Sequence, residues 1–277
     1  MSLKDLPKIE ALAGQRWHMR EDCLDKWNPA IRSAAPVDNT ISMFGPIGSD
    51  YSDAGVTEKR IAAALRSIGN QEVEVSINSP GGDFFEGVAI YNMLREHPAK
   101  VTIKVMGVAA SAASVVAMAG DEIQIGKASS IMIHNSWTIG VGNRHDMTKL
   151  SSAMEIFDGA MADVYASSTG LDVAEIAVLM DAETWLKGEA AIERGFATAL
   201  LPADAMSEDK ARDTKSLKAQ TLLENALRAH NPDMSRSERR ALLSDAKAPT
   251  PSAEGTVTPS ADDTTEALAE LLSTIQG

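Results

Sequence analysis

Three separated stretches of the chain carry residue types that could together perform acyl transfer. Ser111 follows an apolar run and stands among alanines in GVAASAAS. Small neighbours leave its hydroxyl approachable by a bulky carbonyl carbon, and the N–H of Ala112 would point into the same space. His134 ends a second apolar run, IMIH, and imidazole is the side chain whose pKa suits a general base near neutral pH. This pair predicts nucleophilic catalysis through an acyl-enzyme.

The third stretch, Asn78 to Gly82, predicts a backbone site for negative charge. Pro80 prevents simple continuation of the preceding strand, and the paired glycines permit backbone angles that are closed to other residues. A glycine at the start of a helix leaves its N–H uncovered at the positive end of the helix dipole. We therefore expect an oxyanion to fit at this turn.

A catalytic serine and histidine also need a carboxylate, which fixes the imidazole tautomer and stabilises the imidazolium. Asp181 and Glu183, in MDAETW, are the two candidates, and they stand just before an apolar run. Their spacing from the other residues does not choose between them. Both are kept as predicted catalytic residues.

Alternating strands and helices must bring these stretches together. Strands are predicted at NTISMFGPI, VEVSIN, VTIKVMGV, EIQIG and SIMIH, and helices at EKRIAAALRSI, over residues 84–96 and from the Ser111 turn to near Gly120. Strand–helix–strand repetition with right-handed crossovers implies an α/β fold with a largely parallel sheet. Ligand chemistry in such folds lies at the carboxyl ends of strands, where both small-residue turns are expected.

A short extended segment after His134 contains Gly140, Val141 and Gly142. Glycines in such a segment leave room for the close approach of another backbone. We therefore predict that these residues bind an unfolded substrate, which adds to this edge as a strand. An ordinary glycine-bearing loop is the alternative.

A helix of about six turns with one apolar stripe is predicted next. The stripe recurs at alternating spacings of three and four, at Met147, Leu150, Met154, Phe157, Met161 and Val164. Such a stripe either packs on the parent domain or joins subunits.

The composition restricts the class of protein. The chain has 277 residues, 44% of them hydrophobic, which suffices for one large domain or two small ones. Lys and Arg number 26 against 39 Asp and Glu, and the net charge of −13 disfavours nucleic-acid binding. Cys23 is the single cysteine, which excludes an internal disulfide and paired-cysteine metal sites. No signal-peptide pattern and no membrane-span pattern is present, so we expect a cytoplasmic protein with no metal, no cofactor and no membrane partner.

The sequence predicts three parts, a polar and partly helical lead-in over 1–35, a catalytic domain over 36–202 and a tail over 203–277. The tail contains no Phe, Trp or Tyr, so it buries too little surface to offset its chain entropy and is expected to be largely disordered or partly helical. Helical patterns at 217–227 and 265–275 flank a Pro/Ser/Thr-rich linker. A floppy tail and a partner-binding or scaffolding segment both fit this pattern.

Four blocks of the sequence resemble the signature blocks of the ClpP family of serine peptidases, in that family's order. They are SPGG at 79–82, GVAAS at 107–111, IMIH at 131–134 and ETWLKGEAAIERGF at 183–196. The resemblance implies Ser111 as the nucleophile, His134 as the general base, and the N–H groups of Gly82 and Ala112 as the oxyanion hole. It also implies a ClpP/crotonase-type spiral of strand–helix–strand repeats, with an inserted helix that joins subunits into a homo-oligomer. Rings that enclose the active sites are expected.

One block departs from the family pattern. The family has an Asp in a block of the type D-R-F-[LM]-S-A, and Trp185 corresponds to its Phe. Counting back from Trp185 places Glu183 at the position of the Asp. Glu183 is therefore the preferred acid, with Asp181 as a substitute two residues earlier.

The surroundings of the core resemble one subgroup of that family. The long lead-in, the long tail, the GPIGSD turn at 45–50 and the ETW block are similar to the ClpP-like proteases of tailed phages and prophages. Those proteins are similar to head maturation proteases. The resemblance implies a protease that trims scaffold or capsid polypeptides, in the host cytoplasm or the procapsid interior, with a tail suited to a scaffold-like role.

Other functions stay open. A housekeeping-type Clp proteolytic subunit would work with a separate ATPase, since this sequence has no G-x-x-x-x-G-K-[ST] loop. A crotonase-type acyl-CoA enzyme would use acidic catalysts and a CoA pocket rather than Ser and His. A Ser–Lys peptidase would need a buried Lys, for which Lys104 is a poor candidate. A catalytically degenerate core that serves as a scaffold is the non-enzymatic alternative.

Overall fold

The computed structural model describes residues 16–17, 19–33, 38–48, 55–202, 205–208, 214–231 and 234–247. The strands are β1 (Arg16–Trp17), β2 (Ile31–Ser33), β3 (Thr40–Phe44), β4 (Val73–Ser79), β5 (Val101–Ala110), β6 (Glu122–Ile125), β7 (Ser130–Ile133), β8 (Thr138–Ile139), β9 (Thr184–Lys187), β10 (Ala199–Leu200) and β11 (Met206–Glu208). The helices are α1 (Glu21–Lys26), α2 (Glu58–Ile68), α3 (Phe84–Arg95), α4 (Ala112–Ala117), α5 (Arg144–Thr169), α6 (Val173–Asp181), α7 (Gly188–Glu193), α8 (Thr214–His230) and α9 (Arg236–Lys247).

One seven-stranded sheet carries the fold. β10, β6, β5, β4 and β3 are parallel neighbours in that order. The long strand β5 is shared along its length, because residues 102–105 pair with β6 and residues 108–110 pair with β7. β9 runs antiparallel to β7. The predicted α/β fold with a largely parallel sheet is confirmed, and the carboxyl ends of β4, β5 and β7 lie side by side.

Local sequence signals set the ends of the helices that flank the sheet. The Thr57 hydroxyl accepts a hydrogen bond from the Arg60 N–H, and Gly69, with φ of 70°, ends α2 at its predicted last residue. The Asp83 carboxylate accepts hydrogen bonds from the N–H groups of Phe85 and Glu86. This cap starts α3 directly after the paired glycines, so the glycine turn lies at a helix N-terminus as predicted.

Helix α5 is 26 residues long and packs into the main hydrophobic core mainly through its second half. Its buried residues are Phe157, Ala160, Met161, Ala162, Val164 and Tyr165. The Phe157 ring lies 5.2 Å from that of Phe84, between centroids, and so ties α5 to α3. The first half is more exposed, with Met147 36% and Ile156 45% exposed. Neither α5 nor another helix of the described ranges is long and apolar enough to cross a membrane.

The lead-in adds a second hydrophobic cluster to the body. Met19, Cys23, Leu24 and Trp27 are buried against Val108, Ala110 and Met132, which belong to the ends of β5 and β7. Burial raises the pKa of the Cys23 thiol to about 12, so this cysteine is a packing residue. The predicted polar lead-in therefore has an apolar face, and that face covers the strands that carry Ser111 and His134.

Part of the tail packs on the lead-in. The side-chain amide of Asn225, in α8, donates to the Met19 carbonyl at 2.8 Å, and the Lys218 ammonium donates to the Asp25 carbonyl at 2.9 Å. Leu223, Leu227 and Leu243 form a small cluster between α8 and α9. Leucines supply the apolar area that aromatic residues would otherwise provide. The helix predicted at 217–227 lies within α8, whereas the linker after Lys247 and the helix predicted at 265–275 lie outside the described residues.

Candidate active site

Ser111 occupies a strained turn between β5 and α4. Its backbone has φ of 55° and ψ of −126°, a conformation that costs a residue with a Cβ on the order of 1–3 kcal/mol. The Ser111 N–H donates to the carbonyl of Met132 in β7 at 3.0 Å, which holds the turn against the neighbouring strand. In this turn Ser111 lines a small pocket together with Ala112 and His134.

His134 meets the Ser111 hydroxyl. Its Nε2 lies 2.8 Å from Ser111 Oγ, within a hydrogen bond. The meeting follows from the sheet, because Ala109 pairs with Ile131 and Ala110 with Met132 in two parallel strands that end together. The two predicted residues are thus brought into contact although 23 positions separate them in the chain.

The imidazole lies in an apolar setting. His134 is 5% exposed, and burial lowers its pKa from 6.5 to about 4. The positive charge of Arg20 lowers the pKa further, while the carboxylate of Asp22 opposes both effects. The ring is therefore neutral at pH 7, and its Nε2 can accept a proton from the Ser111 hydroxyl.

The glycine turn contacts the nucleophile directly. Gly81 has φ of 89°, and a Cβ at this position would lie 2.7 Å from Ser111 Cβ and 2.6 Å from the Ala110 carbonyl oxygen. Gly82 has φ of 144° and packs against the backbone of Ile47. Glycine is required at both positions, because a side chain at Gly81 would clash with Ser111 and a side chain at Gly82 would clash with the backbone of Ile47.

Two backbone N–H groups remain available beside the hydroxyl. Within the described residues, the N–H groups of Gly82 and Ala112 donate no hydrogen bond to a protein acceptor. Both residues line a small pocket together with Ser111, His134, Phe84, Ser136, Trp137 and Met161. The arrangement can place a carbonyl carbon near Ser111 Oγ and its oxygen near two donors.

The predicted acids lie near the histidine but point elsewhere. β9 pairs with β7 in a register that joins Ile133 to Thr184, so the next pair along would join His134 and Glu183. The Glu183 carboxylate instead accepts a hydrogen bond from Arg20 Nη1 at 2.5 Å. Asp181 lies further out and accepts a hydrogen bond from the Asn135 amide at 2.7 Å. In the described part of the chain, no carboxylate oxygen is bonded to the His134 ring.

Arg20 and Asp22 lie beside the candidate site although their place in the sequence does not indicate such a role. Arg20 Nε donates to the Asp22 carboxylate at 3.0 Å while its Nη1 holds Glu183, so one guanidinium bridges two carboxylates. These residues stand in a charged stretch, REDC, that resembles an ordinary solvated surface. Since 163 positions separate Arg20 from Glu183, no local pattern links them.

The lead-in also contacts the glycine turn that carries Gly82. The Trp27 indole N–H donates to the Asn78 carbonyl at 3.1 Å, and the Asn78 side-chain amide donates to the Asn28 carbonyl at 2.7 Å. Asn78 is 0% exposed and stands directly before the SPGG turn. The orientation of that turn is therefore fixed by residues upstream of the sheet.

The predicted substrate edge is a strand that already has a partner. β8 pairs antiparallel with β1, with Trp17 opposite Thr138 and Arg16 opposite Ile139. Of the residues that follow β8, Val141 is 93% exposed, whereas the space next to Gly140 is filled by Leu150 of α5. A Cβ at Gly142 would lie 2.7 Å from that of Asp146. These two glycines therefore accommodate the start of α5, and the strand edge proper is Thr138–Ile139.

Among the residues that the structure describes, no three or more His, Cys, Asp or Glu side chains are grouped so that they could hold a metal ion.

Comparison with known proteins gives one consistent result. The family model described as "Clp protease" matches residues 31–203. An ATP-dependent Clp protease proteolytic subunit of Deinococcus radiodurans is 32% identical over 164 residues, which are 57% of this chain and 78% of the relative. Proteolytic subunit 3 of Rhodococcus jostii is 27% identical over 159 residues, with the same two shares of 57% and 78%. Proteolytic subunit 2 of Treponema denticola is 28% identical over 158 residues, 56% of this chain and 78% of the relative.

Proposed function

The chain belongs to the Clp protease family, and on that premise we propose that it is a serine endopeptidase that cleaves unfolded polypeptides. Ser111 is the nucleophile and His134 the general base. The observation that carries the proposal is the 2.8 Å hydrogen bond between Ser111 Oγ and His134 Nε2, next to the N–H groups of Gly82 and Ala112. A crotonase-type acyl-CoA enzyme would use acidic catalysts instead of such a serine–histidine pair.

The proposed chemistry uses the neutral imidazole. His134 Nε2 takes the proton of the Ser111 hydroxyl as Oγ attacks the scissile carbonyl carbon. The N–H groups of Gly82 and Ala112 hold the oxyanion, each lowering the barrier by about 3 kcal/mol. The protonated imidazole then gives its proton to the leaving amine, and water releases the acyl group by the reverse sequence.

We propose Glu183 as the acid of the site and keep Asp181 as the substitute. The β7–β9 register supports Glu183, because it brings the backbone of that residue opposite His134. For Glu183 to act on the imidazole, its carboxylate must exchange the Arg20 guanidinium for His134 Nδ1. Asp181 is held by Asn135, beyond the point where the two strands pair.

The proposed substrate adds as a strand beside β8 and Gly140, Val141 and Gly142. The antiparallel pair of β1 and β8 supports this proposal, because an extended segment of this chain already binds along β8, and the proposed substrate takes the place of that segment. Main-chain pairing gives affinity with little sequence preference, which suits an enzyme that acts on unfolded chains.

We further propose that the biological substrates are scaffold or capsid polypeptides of a tailed phage or prophage, in the host cytoplasm or the procapsid. The GPIGSD turn and the ETW block support this proposal, as do the long lead-in and the tail helices α8 and α9. The second candidate is a housekeeping proteolytic subunit that works with a separate ATPase. The names of the curated relatives favour it.

A homo-oligomer, with rings that enclose the active sites, is part of the proposal. The apolar side chains that α5 and α6 leave exposed support it, among them Ile156 and Val178, the latter 65% exposed. We also keep the division into a lead-in over 1–35, a catalytic domain over 36–202 and a tail over 203–277. The extent of the family match, 31–203, supports the central part.

The test is the identity of the residue that a fluorophosphonate probe labels, read by mass spectrometry. We expect labelling of Ser111 in the wild type and in the Ser152→Ala control, whose serine is exposed on α5, and none in Ser111→Ala. Turnover of unfolded casein should fall on the order of a millionfold in Ser111→Ala. Equal cleavage by wild type and Ser111→Ala would refute the proposal. Cleavage of scaffold polypeptide without ATP favours the phage role, and dependence on an added ATPase favours the housekeeping role.

A further inference from the structure

Two buried hydroxyl groups lie behind Ser111, and neither lines the small pocket beside its hydroxyl. Ser114 of α4 and Tyr165 of α5 are both 0% exposed. The Tyr165 hydroxyl lies 2.8 Å from Ser114 Oγ, and Ser114 Oγ lies 2.6 Å from the carbonyl oxygen of Ser111. The three groups form a chain that starts in the core and ends at the backbone of the nucleophile.

The number of hydrogens on each group decides which group donates and which accepts along this series of hydrogen bonds. The Ser111 carbonyl oxygen can only accept, so the single hydrogen of the Ser114 hydroxyl is donated to it. Ser114 Oγ can then only accept from the Tyr165 hydroxyl, which donates. Burial raises the pKa of Tyr165, so this hydroxyl keeps its hydrogen across the working pH range.

The receiving carbonyl belongs to a peptide group that also reaches the proposed oxyanion hole. The carbonyl of Ser111 and the N–H of Ala112 are the two ends of one planar peptide unit. That carbonyl accepts from the Ser114 hydroxyl at 2.6 Å and from the Ser114 N–H at 2.8 Å. Donors on the oxygen draw electron density from the nitrogen, so hydrogen bonds in such a chain strengthen one another.

The same bonds act on a strained conformation. Ser111 has φ of 55°, and its carbonyl must point into α4 for the Ala112 N–H to point into the pocket. Three donors on that carbonyl fix the plane of the Ser111–Ala112 peptide, namely the Ser114 hydroxyl, the Ser114 N–H and, at 3.4 Å, the Val115 N–H. The Tyr165 ring, packed 5.9 Å from Phe196 between centroids, is itself held in the core.

We propose that Ser114 and Tyr165 are positioning residues of the active site. Their relayed hydroxyl groups orient and polarise the Ser111–Ala112 peptide, so that the Ala112 N–H becomes a stronger donor to the oxyanion. The inference rests on the proposed serine peptidase function and adds two residues to its machinery. Neither residue touches substrate, and both act through the peptide between Ser111 and Ala112.

The experiment compares Tyr165→Phe, Ser114→Ala and the double variant with a Tyr91→Phe control. Tyr91 is a half-buried tyrosine of α3 outside the site. Rates are measured on a fluorogenic peptide and divided by the sites titrated with a fluorophosphonate probe, so that unfolded protein does not count. A peptide boronate, which forms a tetrahedral adduct on a serine, reports the strength of the oxyanion hole.

We expect Tyr165→Phe to lower kcat about tenfold per titrated site with KM within about twofold, less than the loss of a whole oxyanion donor. The boronate should bind more weakly by the same factor, and Tyr91→Phe should leave all three quantities unchanged. Ser114→Ala should cost more than Tyr165→Phe. The double variant should be no slower than Ser114→Ala, because Tyr165 acts through Ser114.

Two results would overturn the inference. One is a Tyr165→Phe enzyme with wild-type kcat per titrated site and a lower melting temperature, which is the signature of a purely structural role. The other is a double variant whose losses are the product of the single losses. Failure of the wild type to label at Ser111 would instead contradict the proposed function, so the two failures are distinguishable.

Discussion

At the scale of single residues, the contact between Ser111 and His134 follows from two short runs of sequence. Each run ends a parallel strand, and the register of β5 with β7 brings these two strand ends together, so the polar residue after one meets the polar residue after the other. Neither residue was identifiable alone, since an Ala/Ser-rich turn and a strand-end histidine are common. The pair becomes predictable from the requirement that both residues lie at the same edge of one sheet.

The acid of the site is tested by a matched pair of amide substitutions. Glu183→Gln should lower kcat about 10⁴-fold, as expected when a triad carboxylate no longer sets the histidine tautomer. Asp181→Asn should change kcat less than about threefold, because Asp181 is bonded to Asn135. Rates on a fluorogenic peptide decide the matter. A large loss in Asp181→Asn with a small one in Glu183→Gln would assign the role to Asp181.

The low pKa of His134 predicts how kcat/KM depends on pH. A base must be neutral, so kcat/KM should hold as pH falls from 7 and be lost only as pH passes through about 4. Arg20→Gln removes a positive charge that lowers this pKa, so the acid limb should move to higher pH. Arg95→Gln, at an exposed position that faces Asp121, is the control and should leave the limb in place. An unchanged limb in Arg20→Gln would contradict the assigned charge effect.

The contact of Arg20 with Glu183 shows what the sequence did not reveal. The candidate site residues that follow β4, β5 and β7 could be placed from periodicity and turn chemistry. Arg20 could not, because its position depends on how Met19, Cys23 and Trp27 pack on β5 and β7. This packing depends on residues far apart in the chain, so the charged residues next to Arg20 in the sequence do not indicate it.

At the scale of elements, predictions succeeded where a cap or a glycine marked the end. α2 covers 58–68 as predicted because Thr57 caps it and Gly69 ends it. β5 runs two residues beyond the predicted VTIKVMGV, because β7 pairs with that extension. The apolar stripe of α5 packs on the body from Phe157 onward, and periodicity alone does not reveal where along a helix such packing begins.

Two glycines with positive φ give a test of the turn beside the nucleophile. Gly69→Ala adds a Cβ in open space and should cost about 1–3 kcal/mol of stability, with kcat within about twofold of wild type. Gly81→Ala should cause a similar strain and, in addition, a clash with Ser111 Cβ. The clash displaces the turn that carries Gly82, so kcat should fall about 100-fold. Urea unfolding and peptide turnover measure the two effects. Wild-type kcat in Gly81→Ala would show that the turn does not support the chemistry.

At the scale of the whole molecule, the exposed apolar side chains of α5 point to an association of subunits. Ile156→Asp should dissociate the oligomer, because a charge in an apolar contact is costly to bury. Ser152→Asp places the same charge at an exposed polar position of the same helix and should leave the assembly intact. Sedimentation velocity at micromolar concentration distinguishes them. A monomeric wild type would remove the predicted oligomer.

The packing of the lead-in on β5 and β7 has a practical consequence for work on the central part of the protein alone. Trimming the protein to the stretch matched by the family model, 31–203, would strip Met19 and Trp27 from Val108, Ala110 and Met132 and leave those side chains facing water. It would also delete Arg20 and free the Glu183 carboxylate. The shortened protein would therefore aggregate more readily. Any activity measured on it would be that of an altered site, in which Glu183 no longer binds Arg20.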